Sequence, residues 1–368
     1  MAQTYELIAA VDVGTTKVAA VVGGVKEDGT VDIVGVGVSP SHGIKKGVVV
    51  NVADTSDAIR RAVHEAELQA HCNIAAVNIG VSGAHLRSFN NRGAAAIHGS
   101  VVTASDVEQA IENARAVQIP ADRIILHALP QEFLVDDRDD LKDPIGTNGN
   151  RLQVSVHIIT ALRTGVRNMT QCAERIGLHV LRAHSALLAS SVAVLEQDEK
   201  KLGVVLVDIG GGTTDVAVYH DGAIVHSAVL PVGGDHITHD IAVGLRTPHI
   251  EAERVKLKYG CAISTQVDEE EDIDLASVGA REPTSRKRRV LCDIIELRVE
   301  EIFRLVEREI AQSNFADLLG SGVVVTGGST LLPSIAEVGE QVLDLPVRLG
   351  RPRPIGGLYE LVKAPSYS

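Results

Sequence analysis

No apolar run in the 368 residues approaches the roughly 18 needed to cross a membrane, so no transmembrane helix is expected. The N-terminus has no basic stretch followed by an apolar one, which argues against a secretory leader. None of the four cysteines (Cys72, Cys172, Cys261, Cys292) forms a CxxC pair or stands at ligand spacing from histidines. A zinc site and a disulfide framework are therefore not expected, and free thiols fit a reducing cytosol. A basic stripe is also missing. The formal net charge is −13, so nucleic acid is not an expected partner. The one short basic run, Arg286-Lys287-Arg288-Arg289, follows an acidic run from Asp268 to Asp274 and reads as a solvated loop of mixed charge. What remains is 45% hydrophobic and 23% charged, the profile of a globular chain with a sizeable core and a length suited to two domains.

Along the chain, Glu6 to Val25 reads as two β-branched runs either side of a turn at Asp12-Lys17, and Val31 to Val38 as a third strand. Ala53 to Ala70 has helical spacing, with Ile59, Val63, Ala66 and Ala70 on one face, and Ala75 to Val81 returns to a strand. Residues 84–160 look like an insertion. It holds a helix capped by Ser105 with Glu108 as capping-box partner, strands at Ile124-Leu129, Glu132-Val135 and Leu152-Ile159, and an exposed loop over Asp136-Asn150. Met169 to Ile176 and Leu187 to Leu195 read as helices.

The first meander then repeats. Ala9-Ala10-Val11-Asp12-Val13-Gly14-Thr15-Thr16-Lys17-Val18-Ala19 matches Leu206-Val207-Asp208-Ile209-Gly210-Gly211-Gly212-Thr213-Thr214-Asp215-Val216-Ala217, read with two extra glycines in the second copy. Such a repeat implies two halves of similar fold. An Asp ending a buried strand is costly unless something binds it. A hydrated magnesium ion would do so, since magnesium keeps several waters and takes one or two carboxylates. The glycines allow backbone amides to approach phosphate oxygens, and the threonine hydroxyls can donate to the same oxygens. Lys17 can offset phosphate charge, whereas Asp215, taken as its counterpart, cannot. An Asp-x-Gly hairpin turn explains one copy equally well; the matched pair points to Asp12 and Asp208 around one cation.

Further elements suit a nucleotide. Val323-Val324-Val325-Thr326 is a buried strand ending in Gly327, Gly328 and Ser329, a floor that lets a ring approach the backbone. Gly233 and Gly234 precede a helix and can lie beside phosphates, or form a helix-entry turn capped by Asp235. Glu253 and Lys256 share a helical face and either hold ribose and base or form a surface ion pair.

The order DxGTTK, small-residue helix, DIGGGTTD, GGD, AExxK and TGGS resembles the actin, heat-shock chaperone and sugar-kinase superfamily over nearly the whole chain. The resemblance implies an α/β, actin-like two-lobed fold of duplicated ribonuclease-H-like domains, with ATP and Mg2+ in the cleft. Within it, the insertion at 84–160, Ser277-Val278-Gly279-Ala280-Arg281-Glu282-Pro283, Ser41-His42-Gly43-Ile44-Lys45-Lys46-Gly47 and Leu129-Pro130-Gln131-Glu132-Phe133 resemble the FtsA family of cell-division proteins. That resemblance implies subdomain 1A at 1–83 and 161–202, 1C at 84–160, 2A at 203–231 and 321–368, and 2B at 232–320. It further implies binding of the FtsZ C-terminal tail at Arg281, Arg298 and Glu301, contacts with other division proteins through 1C, head-to-tail self-association, and a place at the cytoplasmic face of the inner membrane. Membrane attachment would come from a C-terminal amphipathic helix that this chain, ending at Tyr367-Ser368, does not include. An arginine often present in the tail-binding loop is Thr284 here. The residue that positions attacking water in actin and its kin is matched by Ser185, beside His184, so slow or absent ATPase is expected. A pilus-assembly adaptor and a small-metabolite kinase are the rival readings; Asp57, Glu132 and Asp240 are the kinase's candidate bases.

Overall fold

The computed structural model describes residues 6–136, 138–276 and 284–367, so Arg281 and its segment lie outside the described residues. The expected meander forms as three antiparallel strands, Glu6–Val13, Lys17–Val25 and Val31–Pro40. Ala76–Val81 pairs in parallel with the first of them, and His179–Ser185 extends the sheet on that side. Helix Val52–Ala70 buries Ala58, Ile59, Ala62, Val63 and Ala66 on this sheet. Its start is fixed by Asn51, whose side-chain oxygen accepts from the amides of Ala53 and Asp54. The helix lies so close that a Cβ on Gly37 would meet the Ala62 carbonyl oxygen at 1.9 Å.

The second lobe repeats this plan. Val204–Ile209, Thr214–His220 and Ala223–Leu230 form the antiparallel meander, and Val323–Thr326 pairs in parallel with its first strand. Helices Gly234–Leu245 and Arg288–Gln312 share the core of this sheet, and His249–Tyr259 packs beside the first of them. Helix Arg288–Gln312 turns Leu291, Ile295, Val299, Ile302, Val306 and Ile310 into the same core as Val205, Val207 and Ile209.

The insertion is a sheet of Arg87–Ala96, Arg151–Leu162, Arg123–Val135 and Arg138–Leu141, with helix Ala104–Arg115 against it. Several expectations need correction here. The two strands expected at 124–129 and 132–135 are one, Arg123–Val135. It carries a register shift where Val156 pairs with Pro130 and Ser155 with Glu132, which accommodates a proline that cannot donate to the ladder. The helix is capped by Thr103 with Asp106, not by Ser105 with Glu108. Asp106 accepts from the Thr103 and His98 amides as well, so it pins the incoming loop. The expected loop at 136–150 contains the short strand Arg138–Leu141, and the helix expected from Met169 begins at Arg163.

The C-terminal residues also depart from the expected division. After Val347–Leu349 in the second sheet the chain crosses back, and Gly356–Gly357 pairs in parallel with Asp32 and Ile33 of the first. Gly357 takes a left-handed φ of 74°, and a Cβ there would meet the Ile33 carbonyl oxygen at 2.1 Å. The end of the range assigned to 2A thus belongs physically to both lobes.

Candidate functional site

The two Asp-bearing turns are built alike. In the first hairpin Val13 pairs with Val18 and Asp12 with Ala19; in the second Ile209 pairs with Thr214 and Asp208 with Asp215. Gly14 donates its N–H to the Lys17 carbonyl and Gly210 to the Thr213 carbonyl, both at 2.9 Å. The hairpins therefore have equal length. The reading with two extra glycines is corrected by this register: Lys17 corresponds to Thr213, Thr15 and Thr16 to Gly211 and Gly212, and Asp215 to Ala19.

The turns face one another across the cleft. A Cβ on Gly211 would meet Thr16 Cγ2 at 2.4 Å, and one on Gly212 would meet Thr15 Oγ1 at 2.5 Å. Glycine is required in the second lobe because threonines stand opposite. Asp12, Gly14, Thr15, Thr16, Lys17, Asp208, Gly210, Gly211, Gly212, Thr213, Gly327 and Gly328 line one cavity of about 160 Å³, together with Ser82, Ala186 and Asp215. Thr16, Gly211 and Gly328 also line an adjoining cavity of about 320 Å³ with Gly234, Asp235, Glu253, Lys256, Leu257, Ser329 and Leu332. Its lining combines apolar Ile237, Leu257, Leu331, Leu332 and Pro333 with charged Asp235, Glu253 and Lys256. Ser329 Oγ donates to the Gly210 carbonyl at 2.9 Å, tying the two cavities' floors together.

Gly233 and Thr214 line neither cavity. A Cβ on Gly233 would meet the Gly210 carbonyl oxygen at 2.6 Å, so this glycine lets the helix start approach the turn. Thr214 is fully buried and its hydroxyl donates to the Val232 carbonyl at 2.9 Å. Glu253 and Lys256 form an ion pair at 2.7 Å, and both bond the Thr238 hydroxyl.

The electrostatics are those of a crowded acid cluster. Asp12 is exposed to the open cleft, with protein crowded around it on the other sides. Burial raises its carboxyl above the ordinary value, with Lys17 opposing. Burial lifts Asp208 to about 6, opposed by a 2.8 Å hydrogen bond from Ser190 and reinforced by the charge of Asp12. Asp215 is lifted to about 7 by burial and by Asp208, against a 2.7 Å hydrogen bond from Ser82 of the first lobe. Its other oxygen, Oδ1, is buried without a hydrogen-bond partner. Burial lowers Lys17, with Asp12 and Asp208 opposing. Among the described residues no group of three His, Cys, Asp or Glu side chains could hold a metal ion by itself.

Sequence reasoning missed Asp215, Ser82 and Ser190. Asp215 carried a signal, a carboxylate set inside the apolar strand Thr214–His220. The isolated serines carried none. Ser185 is buried and its N–H donates to His127 Nε2 at 2.9 Å; Ala186, beside it, is the residue that lines the cleft. The candidate bases Asp57, Glu132 and Asp240 line neither cleft cavity. Asp57 pairs with Arg60, Glu132 accepts from Ser155, and Asp240 holds Arg298.

Arg298, expected to bind the tail, is half-buried. Its Nε and Nη2 engage both oxygens of Asp240 at 2.5 and 3.0 Å, while Nη1 bonds Glu301. Glu301 does line a shallow surface cavity, of about 360 Å³, with Leu297, Glu300, Arg304, Leu305 and Arg308.

Two like-built lobes meeting at paired acidic turns, with a strand-end glycine pair beside them, define an actin-like fold, and comparison with solved structures agrees. The chain is similar to the "PilM-PilN type IV pilus biogenesis complex" (TM-score 0.70, 15% identity, 98% of this chain and 95% of that one). It is also similar to MreB5 of Spiroplasma citri bound to ADP (TM-score 0.57, 15% identity, 94% and 92%). Residues 83–160 match the family model "SHS2 domain inserted in FTSA", and residues 205–368 match "Cell division protein FtsA". Curated proteins named cell division protein FtsA are similar over the full chain. Those of Pseudomonas aeruginosa and Neisseria meningitidis are each 43% identical, with the whole of this chain covered and 88% and 89% of theirs. That of Escherichia coli is 39% identical over 99% of this chain and 88% of its own length. The chain belongs to the FtsA family of cell-division proteins.

Proposed function

We propose that this cell-division protein binds ATP in the cleft, with a magnesium ion held through water by Asp12, Asp208 and Asp215. The convergence of the two acidic turns on one cavity, continuous with a second cavity large enough for adenosine, carries the reading. The residues fit the ion: three carboxylates line one cavity, and Oδ1 of Asp215 is buried without a hydrogen-bond partner. Bound there, the ion would neutralise phosphate charge. Lys17 and the amides of the two glycine turns would meet phosphate oxygens; the Gly327-Gly328 floor and the Glu253–Lys256 pair would hold the nucleoside.

Hydrolysis is slow or absent in this reading. Ala186 offers no hydrogen-bonding group to orient water at the cleft, and turnover above roughly 1 per second would contradict slow hydrolysis. The rival kinase activity is disfavoured because its candidate bases lie away from both cavities. The direct test is titration with ATP and Mg2+ by calorimetry, where Asp208→Asn is expected to weaken binding at least tenfold, about 1.4 kcal/mol.

By family, the protein links FtsZ filaments to the cytoplasmic membrane, recruits later division proteins through the insertion, and self-associates head to tail. The long helix supports the first of these. Leu297 is 69% exposed in a cavity that also holds Leu305, Arg304, Arg308, Glu300 and Glu301, an apolar surface of mixed charge whose arginines would meet a peptide carboxylate. Arg298 serves that surface by fixing Asp240 and Glu301. Binding of an FtsZ-tail peptide to Arg298→Glu should fall at least tenfold, and unchanged affinity would remove the residue from the surface.

A further inference from the structure

The C-terminal crossing reaches into the cleft at Ser366. Tyr359 and Val362 pack on Ile33 and Val36 of the first sheet, and Tyr367 joins the same cluster. The Pro365 carbonyl accepts from the Gly327 N–H at 3.1 Å and from the Thr326 hydroxyl at 3.4 Å, both in the second lobe. Beyond it, the Ser366 carbonyl accepts from Lys17 Nζ, and the same ammonium sits 4.0 Å from the centre of the Tyr367 ring. Ser366 lines the smaller cleft cavity with Asp12 and Asp208, and Lys17 is the one Lys or Arg among that cavity's lining residues. The charge expected to meet a terminal phosphate is thus engaged by the chain's own backbone and an aromatic face.

We propose that the turn Pro365–Tyr367 is an intramolecular stand-in for the terminal phosphate, and that a nucleoside triphosphate displaces it from Lys17 and frees the strap. The inference rests on the nucleotide reading above. A carbonyl dipole and a ring quadrupole attract an ammonium far less than a phosphate oxygen does, so exchange favours the nucleotide. A diphosphate, one phosphate shorter, competes less. The crossing at Gly356–Gly357 is held by sheet pairing away from Lys17 and stays in place. Nucleotide state would then be converted into order or disorder of residues 364–367.

The full chain is compared without nucleotide, with Mg2+ and ADP, and with Mg2+ and ATP. Binding is measured separately by calorimetry. Strap release is read by hydrogen exchange at the Tyr367 amide, which donates to the Ala364 carbonyl, and by the rate of tryptic cleavage after Lys363. Saturating ATP should raise both rates about tenfold and ADP less, while the Leu358 amide, bonded to Ile33, stays protected. Tyr367→Ala should raise both rates without nucleotide and tighten ATP binding about threefold by removing a competitor. Bound ATP with unchanged or slower exchange at residues 364–367 overturns the strap and leaves the nucleotide reading standing. Unchanged ATP affinity in Tyr367→Ala also overturns the strap, and absence of any ATP binding overturns both.

Discussion

Two hairpins of equal length and equal backbone bonding face each other across the cleft, yet their side chains are not interchangeable. Where the first has Thr15, Thr16 and Lys17, the second has Gly211, Gly212 and Thr213; where the first has Ala19, the second has Asp215. The first turn contributes bulk and a cation, and the second contributes space and an extra carboxylate. Duplication supplied one frame twice, and the chemistry lies in the differences. Each substitution makes sense only with the other turn opposite: threonine fills what glycine leaves, and the cation and third acid face the same small cavity.

The largest expected effect comes from spoiling that fit. Gly212→Val places atoms where Thr15 stands, and ATP affinity should fall at least 100-fold, about 2.7 kcal/mol, with the circular dichroism spectrum unchanged. Retained affinity would mean that the turns do not close on a shared ligand. Replacing Asp215 by Ala makes the second hairpin like the first at that position. Binding of ATP with Mg2+ should weaken about tenfold, whereas ATP without a divalent cation should bind no worse, because a negative charge has been removed.

The same carboxyl has a pH signature in the ligand-free protein. Its folded pKa, about 7, lies above the ordinary 3.8, so the native state holds this proton more tightly than the unfolded chain does. The cost of ionising it is absent below the unfolded value, grows as pH rises and is complete above about 7. Asp215→Asn should therefore raise Tm by several degrees at pH 8, and by clearly less at pH 5. An equal gain at both values would contradict the burial argument. The smallest effect separates core from cleft. Thr214→Val, which leaves the Val232 carbonyl without its donor, should cost about 1 kcal/mol of stability and leave ATP affinity within about twofold.

The paired meanders were legible because β-branched runs ended in Asp-x-Gly twice, and a buried acid beside glycine has few structural uses. Strand register was not legible. The letters Thr-Thr match Thr-Thr across the two copies, but only the pairing of Asp208 with Asp215 shows that they are two positions out of step. Thr214 looked like Thr16 and faces the core, since alternation along a strand sends neighbours to opposite sides. Ser82 and Ser190 reach their aspartates from other elements, so nothing local marked them. The helix cap at Thr103 shows the same limit. Ser105 and Glu108 had suitable spacing, and the choice fell to Asp106 through its bond to His98, which only the folded loop supplies.

The central claim is that Asp12 and Asp208 act on one ion from opposite lobes. It is tested most directly by a double-mutant cycle, in which Mg2+-dependent ATP affinity is measured for Asp12→Asn, Asp208→Asn and the pair. Shared use of one hydrated cation predicts that the pair loses little more than the worse single variant, a coupling on the order of 1 kcal/mol or greater. Losses that simply add would place the two carboxylates at independent tasks and contradict the account.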